Sequence, residues 1–247
     1  MKQADFPITG FRSFSTFVNE PIRNKEDIIR VLLYSMKNLL LKKQLEDEGL
    51  GSVSVIIDQT SRLYFLCKNT NELPNKYYSF VFPFFLEVDD TSDNCTIKCK
   101  NSSEIISSEL IDILIRLLDT GWFSENNLNS DTVDKFAYDY LENISDFYGA
   151  KGILSGEEDI LDIAHWSIIK TLLTFEPSYM RYDFDDSDRA DERSHPVHHL
   201  DVHYNSSGTF KLGFDLAIQK NQRLDWDTFK DIFNNGKARD NYVYRLK

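Results

Sequence analysis

The sequence predicts an α+β fold: an antiparallel sheet built from two meanders, with a helical segment between them. Three observations lead there. Apolar residues recur at helical spacing near the N-terminus and again through the middle of the chain. Residues 52–100 and 178–214 instead alternate with period two. Clusters of Asp, Asn, Ser and Thr separate the alternating runs, as turns require. Strands and helices thus fall in separate blocks, the pattern of α+β rather than of alternating α/β proteins. No polar tract is long enough to force a boundary, so the 247 residues are read as a single domain.

Residues 1–24 read as irregular, with Pro7, Gly10 and Pro21. A long helix is expected from Lys25 to Glu48, capped by Asn24 with Asp27 three residues on, and stopped by Gly49 and Gly51. Ser52–Ile57, Arg62–Lys68, Tyr77–Val88 and Cys95–Lys100 read as four strands, which makes 25–100 a helix plus meander. Residues 101–177 read as helical and acidic. Ser102 or Ser103 opens this region, with helices at Ile105–Leu118, Asp131–Tyr148 and Gly156–Phe175. The last of these is apolar nearly all round, which predicts a buried position. Residues 178–247 hold strands Ser178–Asp185, His198–Tyr204 and Thr209–Phe214, a helix at Trp226–Asn234 and a short Tyr242-Val243-Tyr244.

The net charge is −12, and residues 101–160 alone carry 13 acidic and 3 basic side chains. Such a field repels phosphate backbones, so broad nucleic-acid binding is not expected. The acidic segment is read as a solvated helical face or a surface for a protein partner. No apolar run is long enough to span a membrane, and no apolar segment follows Met1–Asp5 in the manner of a signal peptide, which places the chain in the cytoplasm. Cys67, Cys95 and Cys99 are an odd number of thiols, expected to be reduced and buried, with Cys95 and Cys99 sharing a strand face with Ile97.

Several devices are absent by inspection: the P-loop, the Gly-x-Gly-x-x-Gly fingerprint, the Gly-x-Ser-x-Gly elbow and His-Glu-x-x-His. No lysine has an acidic residue two positions before it, which removes the simplest carboxylate–lysine nuclease motif. What is present is a run of four histidines, His195, His198, His199 and His203, following Arg181-Tyr182-Asp183-Phe184-Asp185. Strand alternation sorts these residues. Arg181, Asp183 and Asp185 share one face of the first strand. His199, Asp201 and His203 share one face of the second, and Lys211 lies on the matching face of the third. If the strands are neighbours, these groups form one surface, with Arg181, Asp183 and His199 mutually close.

Imidazole and carboxylate groups are ligands for a divalent metal, for which Asp183, His199 and His203 are the candidates. Arg181 and Lys211 suit phosphate. Arg181, Asp183, Asp185, His199 and His203 are the candidate catalytic residues, since histidine titrates near neutral pH. His195, Asp201 and Lys211 are candidates for binding a ligand. The competing readings are a wet polar outer face, normal for an antiparallel sheet, and a purely structural hydrogen-bonded lock. His165, alone on an apolar helix, is expected to be a core histidine.

The same segment resembles an uncharacterised bacterial family, the domain of unknown function 2290. Its pattern of Arg-x-Asp-Tyr-Asp, then His-Pro-x-x-His-apolar, then Arg-apolar-Pro is matched by Arg181-Tyr182-Asp183-Phe184-Asp185, by His195-Pro196-Val197-His198-His199-Leu200 and by Lys211-Leu212-Gly213. The family's short amphipathic helix is similar to Asp227–Phe233. Lys211 and Gly213 depart from the pattern, and the likeness covers about a quarter of the chain. It implies a prokaryotic accessory protein of an antiviral defence or mobile-element system, acting as an interaction or regulatory subunit. On it Arg181, Asp183, Asp185, His195 and His199 fall on motif positions. The alternative drawn from the residues is a metal- or phosphate-binding effector, phosphodiesterase- or nuclease-like, working through the Arg181/Asp183/His199 face.

Overall fold

The computed structural model describes residues 2–8, 22–58, 60–68, 74–89, 91–100, 104–124, 135, 138–142, 145–146, 163–185, 188, 190–191, 193–205, 208–213 and 223–233. Most of the helix expected at Asp131–Tyr148 lies outside these residues. So do the first turns of Gly156–Phe175, much of the acidic segment, and Tyr242–Tyr244. The described chain is α+β: helices, a seven-stranded antiparallel sheet and a separate two-stranded sheet. It divides into two compact units. No helix among the described residues is long and apolar enough to cross a membrane.

The first unit comprises 1–23, 42–82 and 176–247 and contains the whole seven-stranded sheet. Its strands are β1 (Lys2–Pro7), β2 (Gly51–Ile57), β3 (Ser61–Lys68), β4 (Pro74–Val81), β7 (Tyr179–Phe184), β8 (His198–His203) and β9 (Thr209–Gly213), in that spatial order. Strand β1 corrects the expectation of an irregular N-terminus. Ala4 and Phe6 are buried opposite Val55 and Val53 while Gln3 and Asp5 are exposed, so a short period-two signal lies ahead of Pro7 and Gly10. The two meanders meet in one antiparallel sheet, as expected, although Phe84–Val88 and Cys95–Cys99 lie outside it. Strand β4 pairs with β7, placing Lys76 opposite Asp183 and Tyr78 opposite Arg181, and this joins them into one sheet.

Each face of this sheet carries its own set of residues. In-register positions across an antiparallel sheet point the same way, so Val53, Phe65, Tyr78, Arg181 and Asp201 share a face. The opposite face presents Tyr64, Tyr77, Tyr182 and Leu200. There the short helix α4 (Trp226–Asp231) seats the fully buried Phe229, with Leu224, Trp226 and Phe233 packed around it. Asp225 caps α4 by accepting from the Thr228 N–H at 2.9 Å.

The second unit comprises 24–41 and 83–175. Helix α1 (Lys25–Leu40) opens with the expected capping box: the Asn24 side chain accepts from the Asp27 N–H at 2.8 Å, and Asp27 accepts from the Asn24 N–H at 3.2 Å. The helix stops well short of Glu48. Beyond Leu41 only Leu45 is apolar before Gly49, so no buried face supports further turns. The expected single strand Tyr77–Val88 is broken in two. Pro83 has no N–H to donate to a ladder, and the chain leaves β4 at Val81 and resumes as β5 (Phe84–Val88). Strand β5 pairs with β6 (Cys95–Cys99) in the second, two-stranded sheet. Ile97 and Cys99 are buried there, and all three cysteines are free thiols. Helix α2 (Ser108–Asp119) starts later than expected because Ser107, not Ser102 or Ser103, caps it, and Ile105 forms an isolated bridge to Lys98 instead. Gly121, at φ 76°, turns the chain beyond its end. Helix α3 (Ile163–Thr174) buries Ile168, Ile169 and Leu172, and His165 is buried on it as expected, although Trp166 faces outward.

Candidate functional site

The site is built by register. Three cross-strand rows run over β4, β7, β8 and β9: Lys76–Asp183–His199–Gly213, then Tyr78–Arg181–Asp201–Lys211, then Phe80–Tyr179–His203–Thr209. A slip of one residue would turn Arg181 and Asp183 to the other face and bring Tyr182 into their place, so the alternation pins the pairing. Arg181, Asp183, Asp201 and His199 meet where the first two rows adjoin. Arg181 Nη2 lies 2.6 Å from Asp183 Oδ2 and 2.5 Å from Asp201 Oδ2, one guanidinium nitrogen bridging two carboxylates. His199 Nε2 sits 3.3 Å from Asp183 Oδ2 and 4.0 Å from Asp201 Oδ2. Lys211 Nζ approaches Asp201 Oδ1 at 3.6 Å.

The expectation of a wet polar face fails here. Asp183, His199 and Asp201 are only 5%, 0% and 6% exposed, because they share their face with the apolar residues Phe65, Tyr78 and Tyr179. Period two sorts residues into faces but does not say which face is covered, and here both are. Burial alone would favour the neutral acid at Asp183. His199, Arg181 and Lys76 outweigh it and hold this carboxyl below the usual range. For Arg181 burial works against the charge, but Asp183, Tyr78 and Asp201 keep the guanidinium firmly protonated.

His199 Nδ1 lies 2.8 Å from the Pro196 carbonyl oxygen, which can only accept, so Nδ1 carries a proton. In the neutral ring Nε2 is then a bare acceptor facing the Asp183 carboxylate. Two acceptors 3.3 Å apart call for a cation between them, either a proton on Nε2 or a metal ion. Among the described residues, Arg181 Nε, Asp183 Oδ1, Asp201 Oδ1 and His199 Nε2 are buried with no hydrogen-bond partner. Each such atom costs roughly 1–3 kcal/mol. One ligand atom from each of Asp183, His199 and Asp201 can be chosen so that all three lie within 4.8 Å of one another.

The remaining sequence candidates take other places. His195 Nε2 pairs with Asp185 Oδ2 at 3.1 Å, and its Nδ1 accepts from Lys211 Nζ at 3.4 Å, with the ring edge-on to His199 at 4.7 Å between centroids. These three residues form a partly exposed second layer. Gly213 admits the loop above it, since a Cβ there would stand 3.2 Å from Pro196 Cγ. His203 lies outside the Asp183–His199–Asp201 group. It stacks on Tyr179 with centroids 4.0 Å apart, and burial, opposed by Asp201 and aided by Arg181, lowers its pKa. His198 faces the other way and takes a hydrogen bond from the Tyr182 hydroxyl at 2.8 Å, while that hydroxyl accepts from the Leu224 N–H. Sequence reasoning placed Asp201 among ligand-binding residues rather than with Asp183 and His199. It missed Lys76 and Tyr78 because it did not pair the two meanders.

Beside the cluster lies a cleft of about 570 Å³, entirely within the first unit. Among the described residues, Arg23, Arg181, Lys211 and His203 line it, together with Thr209 and the carboxylate Asp201.

No family model, no curated protein and no solved structure matches the chain. The reading of the site therefore rests on its geometry.

Proposed function

We propose that the chain is a divalent-metal-binding effector, with Asp183, His199 and Asp201 as the ligands supplied by β7 and β8. The observation that carries this reading is the set of buried unpartnered atoms, Asp183 Oδ1, Asp201 Oδ1 and His199 Nε2. All three are acceptors or can be, and one ligand atom from each residue can be chosen within 4.8 Å of the others. The fit is chemical as well as spatial. Imidazole with carboxylate suits Zn²⁺ or Mn²⁺. His199 Nε2 also stands 3.3 Å from Asp183 Oδ2 and 4.0 Å from Asp201 Oδ2, and an edge of a coordination polyhedron is about 3.0–3.4 Å for ligands about 2.1 Å from the ion, so a bound ion would draw the Asp201 carboxylate closer. Pro196 O holds the His199 ring in the tautomer that a ligand needs, the usual outer partner of a metal-bound imidazole. Arg181 in this reading positions both carboxylates. Asp185, His195 and Lys211 form the outer layer. A bound ion would act as a Lewis acid toward a ligand in the adjoining cleft.

Titration of metal-stripped protein with Zn²⁺ and Mn²⁺ by calorimetry is expected to give one site per chain. Raising the ion to 100 times its Kd should stabilise the fold by about 2.7 kcal/mol. Asp201→Asn removes one charged ligand and should abolish the effect. If neither ion produces heat or stabilisation, the cluster is a structural lock and the proposal fails. Equal binding by Asp201→Asn would also refute it.

A further inference from the structure

We propose that the cleft beside the cluster binds the phosphate group of a small phosphate monoester. This cleft chemistry does not depend on a metal ion. Among the described residues, Arg23, Arg181 and Lys211 are the cations that line the cleft and Asp201 is the carboxylate. Three basic side chains facing one cleft can together meet the three terminal oxygens of a phosphate monoester, where a carboxylate offers two. The volume of about 570 Å³ falls within the range of small-molecule sites. Arg181 is the anchoring donor. Its Nη2 is fixed by Asp183 and Asp201, which set the plane of the guanidinium fork before any ligand arrives. Lys211 supplies a mobile point charge from the edge strand β9, with a side chain 43% exposed. Arg23 is exposed and precedes helix α1. Two of the three cations therefore stand at the exposed margin of the cluster.

The test is calorimetric titration of the full chain in EDTA, with phenyl phosphate as the probe and benzoate as the carboxylate control. The expected result is saturable binding of phenyl phosphate and at least tenfold weaker binding of benzoate. Lys211→Ala and Arg23→Ala should each weaken phenyl phosphate binding by roughly tenfold or more, the loss of one charged hydrogen bond, in protein whose melting transition remains cooperative. Absence of binding at millimolar probe overturns the inference. So does equal affinity in both variants, or equal affinity for benzoate. Because the titration contains EDTA, its result is separable from the metal titration. Phenyl phosphate binding without Zn²⁺ or Mn²⁺ binding keeps this inference and removes the metal centre, and the reverse result removes this inference alone.

Discussion

Arg181→Ala is expected to lower the free energy of unfolding by about 3–5 kcal/mol, the usual cost of removing one partner from a buried ion pair. The substitution strands two carboxylates at once. Asp183 and Asp201 both place Oδ2 on the same guanidinium nitrogen and are both nearly inaccessible. Lys76 stands in register beside Asp183, and Lys211 approaches Asp201, but neither bridges the pair. Arg181→Lys should recover only part of the loss, because a single ammonium cannot reproduce the planar fork. The same pairing fixes a pH dependence. Asp183 is held below the unfolded carboxylate value of about 3.9. The stability it contributes is therefore complete above that value and is lost as pH falls through its lower folded pKa. Asp183→Asn should remove that part of the acid limb. Urea unfolding at neutral pH, repeated between roughly pH 5 and 2, measures both effects. A loss under about 1 kcal/mol in Arg181→Ala would show that the cluster is solvated rather than buried.

Phe229→Ala is expected to cost about 3–5 kcal/mol, the range for a fully buried aromatic truncated in a core. Helix α4 is only six residues long and cannot hold itself as an isolated helix. Its docking rests on Phe229, which is 0% exposed and lies 5.5 Å, centroid to centroid, from both Tyr77 and Phe233. Tyr77 in turn stacks on Tyr182 at 5.2 Å and meets Trp226 at 5.3 Å, so the truncation loosens one continuous aromatic layer. The Asp225 cap should not rescue it, since capping is worth about 1 kcal/mol. Red-shifted Trp226 emission together with a lowered urea midpoint would be the signature. Unchanged emission would mean that the helix is seated by other contacts.

Much of this architecture was legible in local pattern. The Asn24–Asp27 box, the apolar face of α1 and the odd-numbered polar residues of β7, β8 and β9 are short-range signals, and the structure follows them. The α+β class follows from the same periodicities. Less legible was whatever depends on long-range pairing. Nothing near Tyr78 or Arg181 announces that β4 and β7 are the neighbours through which the two meanders join. The break at Pro83 was visible in principle, because proline rarely sits inside a paired strand. Strand β1 was hidden by weight given to Pro7 and Gly10 over the alternation of Ala4, Phe6 and Ile8. At the site, alternation brought Arg181, Asp183 and His199 to one face but could not rank Asp201 above His203. Both share that face of β8. Only the row structure shows that Asp201 lies opposite Arg181 while His203 lies opposite Tyr179. Burial was the larger omission, since a polar face reads the same in sequence whether it meets water or the interior.

The central claim is that Asp183, His199 and Asp201 form a metal centre, and anomalous diffraction from crystals grown with Zn²⁺ or Mn²⁺ tests it most directly. The account predicts a peak about 2.0–2.3 Å from His199 Nε2 and from one oxygen of each carboxylate, absent in Asp201→Asn crystals. No anomalous density among Asp183, Asp201 and His199 would contradict it.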